Sequence, residues 1–154
     1  MELKGNKVLE VALLEVGTKE SPKGSNKTKY GEWFGANGVP WCAIFVSWCF
    51  EVAGYPLGNI GYSKGFAGTR TAFKIFKDSR RTTFVPAPGD IVFFDWELDG
   101  KVDHVGIFCN WVDKDYFESV EGNTAIGNDS NGGEVMIRKR HKKFARFVHP
   151  SCLD

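Results

Sequence analysis

No stretch of this chain approaches the roughly 20 consecutive apolar residues that span a bilayer, so no helical membrane anchor and no membrane insertion are expected. Neither sign of charge dominates. Twenty Lys and Arg stand against 19 Asp and Glu, a net of +1, which speaks against nucleic acid or another polyanion held by bulk charge. The four cysteines, at 42, 49, 109 and 152, lack CxxC spacing and have no histidine in ligand register, which argues against zinc. Cys42 and Cys49 cannot pair on one helix: seven residues separate their Cα atoms by about 10 Å, beyond the disulfide limit of roughly 7 Å. The opening MELKGNKVLEVALLEVG carries Glu2, Glu10 and Glu15 among its apolar residues and does not read as a secretory signal. Synthesis in a reducing cytoplasm is expected, with free thiols. Internal repeats and low-complexity linkers are missing too, so residues 1–154 are read as one domain, of ordinary size and able to bury a sizeable core.

What is present divides the chain in two. Leu3, Val8, Leu9, Ala12, Leu13 and Val16 recur at helical spacing up to Gly17, predicting a helix over 3–16. TKESPKGSNKTKYGEWFGANG (18–38) reads as a long loop, and loops of that length are usually functional. GVPWCAIFVSWCF (38–50) opens a helix expected from Trp41 to Ala53, closed by Gly54 and apolar all round except at Ser47 and Glu51; such a helix is central and buried. A third, amphipathic helix is predicted over 63–79, with Phe66, Phe73 and Phe76 on its inner stripe. Beyond Pro88 come short β-rich segments at 89–96, 103–112, 115–123, 133–141 and 143–150, separated by turn sequences such as LDGK and NDSNGG. Helices followed by an antiparallel meander predict an α+β fold with the helices packed on one face of the sheet.

The candidate chemistry begins at Cys42. A cysteine usually just fills core, and that is the reading for Cys49 and Cys109. Cys42, however, follows Pro40 and Trp41 into the first turn of its helix, where free N–H groups and the positive dipole end stabilise a thiolate. The same N–H groups could hold an oxyanion. A thiolate nucleophile wants an imidazole. Of three histidines, His141 lies in the basic run RKRHKK, read as a solvated strand and turn, and His149 lies near the C-terminal end of the sequence. His104 begins the apolar strand HVGIFCNW, where a side chain can reach solvent and a cleft together; its bland alternative is a turn histidine bonded to Asp103. For a third residue that orients the ring, SVEGNT offers Glu121 or Asn123 on the next strand, with Glu118 on the opposite strand face. Trp41, adjoining Cys42, is the aromatic residue expected at the cleft.

The blocks GVPWCAIFVSWCFEVAG, PAPGDIVFFDW, DHVGIF and VEGNT, in this order and spacing, resemble the CHAP family of cysteine, histidine-dependent amidohydrolases/peptidases, with similarity from about Val8 to about Phe147. The resemblance implies a papain-like fold and cleavage of amide bonds in bacterial peptidoglycan, as an N-acetylmuramoyl-L-alanine amidase or a peptide-bridge endopeptidase. It makes Cys42 the nucleophile, His104 the general base, Glu121 the acidic third residue and Asn123 its polar companion. The related NlpC-type peptidases usually have a histidine in the third role.

Two departures shape the expectation. Some CHAP domains hold calcium through an Asp-rich loop before the nucleophile; here residues 20–38 have no Asp and several Lys, so no metal and no cofactor are expected. Papain-like proteases also take an oxyanion donor from a Gln upstream of the nucleophile, and this chain has none there. The Cys42 backbone N–H, with Tyr30 or Asn37 as a side-chain helper, is expected to serve. The combined expectation is a monomeric lytic enzyme of a phage or prophage, made in the host cytoplasm and acting on the wall after release, a reading compatible with its being the catalytic domain excised from a longer lysin with a wall-binding domain. The alternative is a non-catalytic wall-binding module with a vestigial Cys/His pair.

Overall fold

The computed structural model describes residues 3–154. The N-terminal apolar repeat forms α1 (Lys4–Leu14), which buries Val8 and Ala12. The segment expected to be all loop contains a short helix, α2 (Lys29–Phe34). Thr28 caps it by accepting from Gly31 N at 3.1 Å, and Gly35, at φ 88°, ends it. Six residues are too few for a hydrophobic period to be visible in sequence.

The central run forms α3 (Cys42–Val52), one residue shorter at each end than expected, with Trp41 as N-cap. Eight of its eleven residues are buried. Ser47 is one of them because its hydroxyl bonds backbone groups of Ala43 and Phe66. The third predicted helix starts six residues late, as α4 (Thr69–Asp78), since an isolated bridge between Tyr62 and Gly65 holds the preceding segment in a turn. Among the described residues no helix is long and apolar enough to cross a membrane.

Six strands follow: β1 (Thr82–Thr83), β2 (Ile91–Phe94), β3 (His104–Trp111), β4 (Tyr116–Thr124), β5 (Glu134–His141) and β6 (Ala145–Val148). They form one antiparallel sheet in the order β1-β6-β2-β3-β4-β5. The expected meander therefore holds only from β2 to β5, and β6 returns beside β2. β5 and β6 are four strand spacings apart, about 19 Å in a flat sheet. Yet only the 3-10 turn Lys142–Phe144 joins them, and four residue steps reach at most about 14 Å. The sheet must curl.

Alternation along the strands feeds two cores. Ile91, Phe93, Val105, Ile107, Val120 and Val148 pack with residues of α1, α3 and α4. Val92, Phe94, Phe108, Phe117, Ala145 and Phe147 form a second, largely aromatic cluster inside the curl, joined by Trp96 and Phe144. His104 packs against Phe94 and Trp96 of the second cluster.

Candidate active site

Cys42 is the first residue of α3 and 7% exposed. The N–H groups of its turn have no partners within the helix, and the dipole there favours negative charge. His104, the first residue of β3, pairs with Phe94 in the ladder and is fully buried, so the expectation of a half-solvated histidine is corrected. Asp103 is not its partner; Asp103 instead takes the Arg70 guanidinium at 3.0 Å. The ring lies against the stacked Phe94–Trp96 pair, with centroid distances of 5.7 and 6.1 Å.

His104 Nε2 bonds Glu121 Oε1 at 2.8 Å. Nδ1 is buried and has no hydrogen-bond partner among the described residues. Burial alone would lower the imidazole pKa, but the Glu121 carboxylate and the neighbouring Cys42 thiol outweigh it and push it up to about 9. With Nε2 engaged by Glu121, the nitrogen left for the thiol is Nδ1.

Two glycines make this arrangement possible. A β-carbon at Gly106 would sit 2.7 Å from Glu121 Cγ, so β3 leaves the space in which the carboxylate lies. One at Gly122 would sit 2.8 Å from Phe45 Cβ and 2.9 Å from Trp41 Cζ3. The strand carrying Glu121 thus lies directly against the helix carrying Cys42.

Glu121 is fully buried and receives four donors. His104 and Arg140 Nη2 (2.6 Å) meet Oε1; Arg140 Nε (2.9 Å) and the Ser119 hydroxyl meet Oε2. Burial would raise its pKa, but the Arg140 hydrogen bonds and then the imidazole reverse this and hold it at about 2. Arg140 itself is nearly buried, its guanidinium 4.7 Å from the Trp96 ring, and its Nη1 donates to Asp129 Oδ1 at 2.8 Å. Sequence reasoning missed it. RKRHKK was read as a solvated face, whereas β5 turns Arg138 and Arg140 inward: Arg138 donates to Thr124, Ala125 and Asp129. Strand alternation splits the run into two faces, but basic residues stand on both, so the sequence does not say which face turns inward.

The other predicted site residues have different duties. Asn123 stands at φ 57°; its Oδ1 accepts from Gly133 N (3.0 Å) and its Nδ2 donates to Asn131 (3.2 Å), bracing the 125–133 segment without bonding His104. A bulge between Glu121 and Thr124 breaks the alternation that would have kept Asn123 beside Glu121. Trp41 and Tyr30 are fully buried and stacked on one another at 5.6 Å, so neither offers a surface to substrate. The Tyr30 hydroxyl donates to Glu15 (2.7 Å) and is not free to act as an oxyanion helper, whereas Asn37 Oδ1 accepts from Thr28 N (3.0 Å), a bond that engages the amide oxygen and not its Nδ2 donor. Glu118 lies on the other strand face and is partly exposed. A calcium cage does not fit the residues of the 18–38 segment: Glu20 accepts from Asn26 N (3.0 Å) and Glu32 is exposed on α2. Among the described residues no three His, Cys, Asp or Glu side chains gather as metal ligands.

Compared with known families, residues 34–123 match the model of the CHAP domain, more than half of the chain and the part that carries Cys42, His104 and Glu121. No curated protein matches the chain.

Proposed function

The chain belongs to the CHAP family, a papain-like α+β family of cysteine- and histidine-dependent amidohydrolases, and on that premise we propose that it hydrolyses an amide bond of bacterial peptidoglycan through an acyl-enzyme on Cys42. The observation that carries this reading is the buried His104–Glu121 bond, which commits Nε2 to the carboxylate and leaves Nδ1 to the thiol.

In the proposed reaction His104 Nδ1 takes the Cys42 proton, and the Glu121 carboxylate stabilises the imidazolium. The thiolate attacks the amide carbon. The resulting oxyanion is held by N–H groups at the start of α3, first of all that of Cys42 itself. As the C–N bond breaks, Nδ1 returns its proton to the leaving amine, giving a thioester and a free amine. Water then gives its proton to Nδ1 and adds to the thioester carbon. Expulsion of the Cys42 sulfur, with return of the proton to the thiol, releases the carboxylic acid. The setting that completes this reading is a phage or prophage lysin, whose enzyme meets the wall on release. A vestigial pair has no use for an ionised, four-donor carboxylate, which weighs against a purely binding module.

The test is digestion of purified cell walls followed by mass spectrometry of the soluble fragments. New amino termini at the first stem-peptide residue mean an amidase, and new ends inside the peptide mean an endopeptidase. Walls left intact by the folded protein would remove the proposal.

A further inference from the structure

Glu121 is tied more heavily than the orientation of one imidazole demands, and the excess comes from a single residue. Arg140 places a two-pronged fork on both carboxylate oxygens, at 2.6 and 2.9 Å. The fork is itself fixed on three sides: by the Trp96 ring at 4.7 Å, by the Phe94 ring at 5.5 Å and by Asp129 at 2.8 Å. Trp96 is the ring that also covers His104, and its Nε1 donates to Ser130 at 2.9 Å. One aromatic side chain therefore backs both the guanidinium and the imidazole. Arg140 lies outside the segment that matches the family model.

We propose that Arg140 is a positioning residue for the reaction: its fork sets the plane of the Glu121 carboxylate, and so the ring of His104, and its charge keeps that carboxylate ionised beside a thiolate–imidazolium pair. This rests on the reading of Cys42 and His104 as the reacting pair. Charge arithmetic gives the reason. In the reactive state the thiolate and Glu121 carry two negative charges, and the imidazolium and Arg140 two positive ones. Without Arg140 the buried group is left with one uncompensated negative charge, which a buried site tolerates poorly. If Glu121 then stays charged, it opposes the thiolate and favours the imidazolium, so both limbs of reactivity rise. If it protonates, the imidazolium loses its partner and the alkaline limb falls. Either response displaces a limb of the pH profile. The other polar and ionisable groups around the carboxylate do not replace Arg140. Ser119 is neutral, the Arg138 guanidinium is committed to Thr124, Ala125 and Asp129, and the Cys109 thiol is pushed up to about 12 by burial, Glu118 and Glu121. A lysine at position 140 could supply the charge but not the fork.

The experiment compares Arg140→Gln and Arg140→Lys with wild type in three measurements: thermal unfolding, the pH profile of Cys42 alkylation by iodoacetamide, and kcat and KM on solubilised wall. For folded Arg140→Gln at least one limb of the alkylation profile moves by about one pH unit or more, and kcat falls about tenfold or more at unchanged KM. Arg140→Lys keeps the wild-type window and loses part of kcat. A folded Arg140→Gln with the wild-type window and kcat within about twofold overturns the proposal, because a merely structural arginine would give that result. Should Arg140→Gln not fold, Arg140→Lys decides: reduced kcat at unchanged KM supports the fork, and wild-type kcat overturns it. If wild-type protein shows the alkylation window but leaves walls intact, the substrate reading falls, and the alkylation profiles of the variants still decide the role of Arg140.

Discussion

His104 Nε2 and Glu121 Oε1 lie 2.8 Å apart with neither side chain exposed, and this one bond determines which ring nitrogen is left for the Cys42 thiol. The consequences reach the pH dependence, the mutational pattern and the reactivity of the four thiols.

Cys42→Ala abolishes wall lysis, with a loss of at least about a thousandfold as expected for removal of a nucleophile. Only a sulfur is lost, so thermal unfolding stays close to wild type. His104 is fully buried, so the polar His104→Gln is the better partner variant and gives the same loss. Lysis surviving in either folded variant removes the mechanism.

Activity should fall at high pH as the imidazolium loses its proton, with a limb near 9. Glu121→Gln removes the charge that raises this value, so its limb moves to lower pH, which a pH–rate profile of both proteins checks. Stability follows the same groups by linkage. The raised imidazole contributes stability that is complete below its ordinary value of 6.5 and is lost as pH rises through about 9. The depressed Glu121 contributes stability that is present above its ordinary 4.5 and is lost as pH falls through about 2. Urea unfolding should therefore reach its highest midpoint from these two groups between pH 4.5 and 6.5.

Glu121→Ala should cost far more activity than Glu118→Ala, since Glu121 holds His104 and Arg140 while Glu118 lies partly exposed on the other face. Gly106→Ala tests the same geometry from the neighbouring strand. Its methyl group would press on Glu121 Cγ at 2.7 Å and on Val120 O at 3.0 Å. A drop in kcat of about tenfold or more is expected in protein that still folds. Wild-type kcat in Gly106→Ala would mean that the carboxylate position is not critical.

The proposed trio stands out in the sequence because each member carries a local mark. Cys42 follows Pro40 and Trp41 at a helix start, His104 opens an apolar strand, and Glu121 stands in EGN on the next strand. Arg140 carried no such mark, because basic residues alternate with basic residues along β5 and nothing in composition tells the inward pair from the outward one. Trp41 was misread for a simpler reason. Neighbours on a helix diverge by about 100°, so adjacency to Cys42 did not bring the indole to the cleft. Asn123 was misread because a bulge and a positive φ turned its side chain toward Gly133. The curl of the sheet depends on how β6 pairs, a long-range event that no local pattern encodes.

Wall lysis should survive EDTA. The 18–38 segment spreads its two carboxylates apart, with Glu20 engaged by Asn26 N. Loss of activity on chelation, restored by added calcium, would show that these side chains regroup around a cation.

The thiols give the most direct view of the site. Cys49 lies two turns along α3 from Cys42 and is fully buried; that burial, with the Glu15 charge next, pushes its pKa well above the ordinary thiol range. Cys109 is pushed up to about 12 and Cys152 to about 11, in both cases chiefly by burial. These three should be almost entirely protonated at neutral pH, and a thiol reacts through its thiolate. Cys42 differs in two respects: it occupies the first turn of α3, and it neighbours His104, whose Nε2 is held by Glu121 and whose Nδ1 has no partner among the described residues. Limiting iodoacetamide near pH 6 should therefore label Cys42 first, with activity lost in step, although Cys152 is the more exposed of the two. His104→Gln should slow that labelling at the same pH, because the proton acceptor is gone while the exposure of the sulfur is little changed. Peptide mapping of the alkylated protein reads both results. If Cys42 is modified no faster than Cys152, or at an equal rate in His104→Gln, the pair at the head of α3 is not a coupled nucleophile and base.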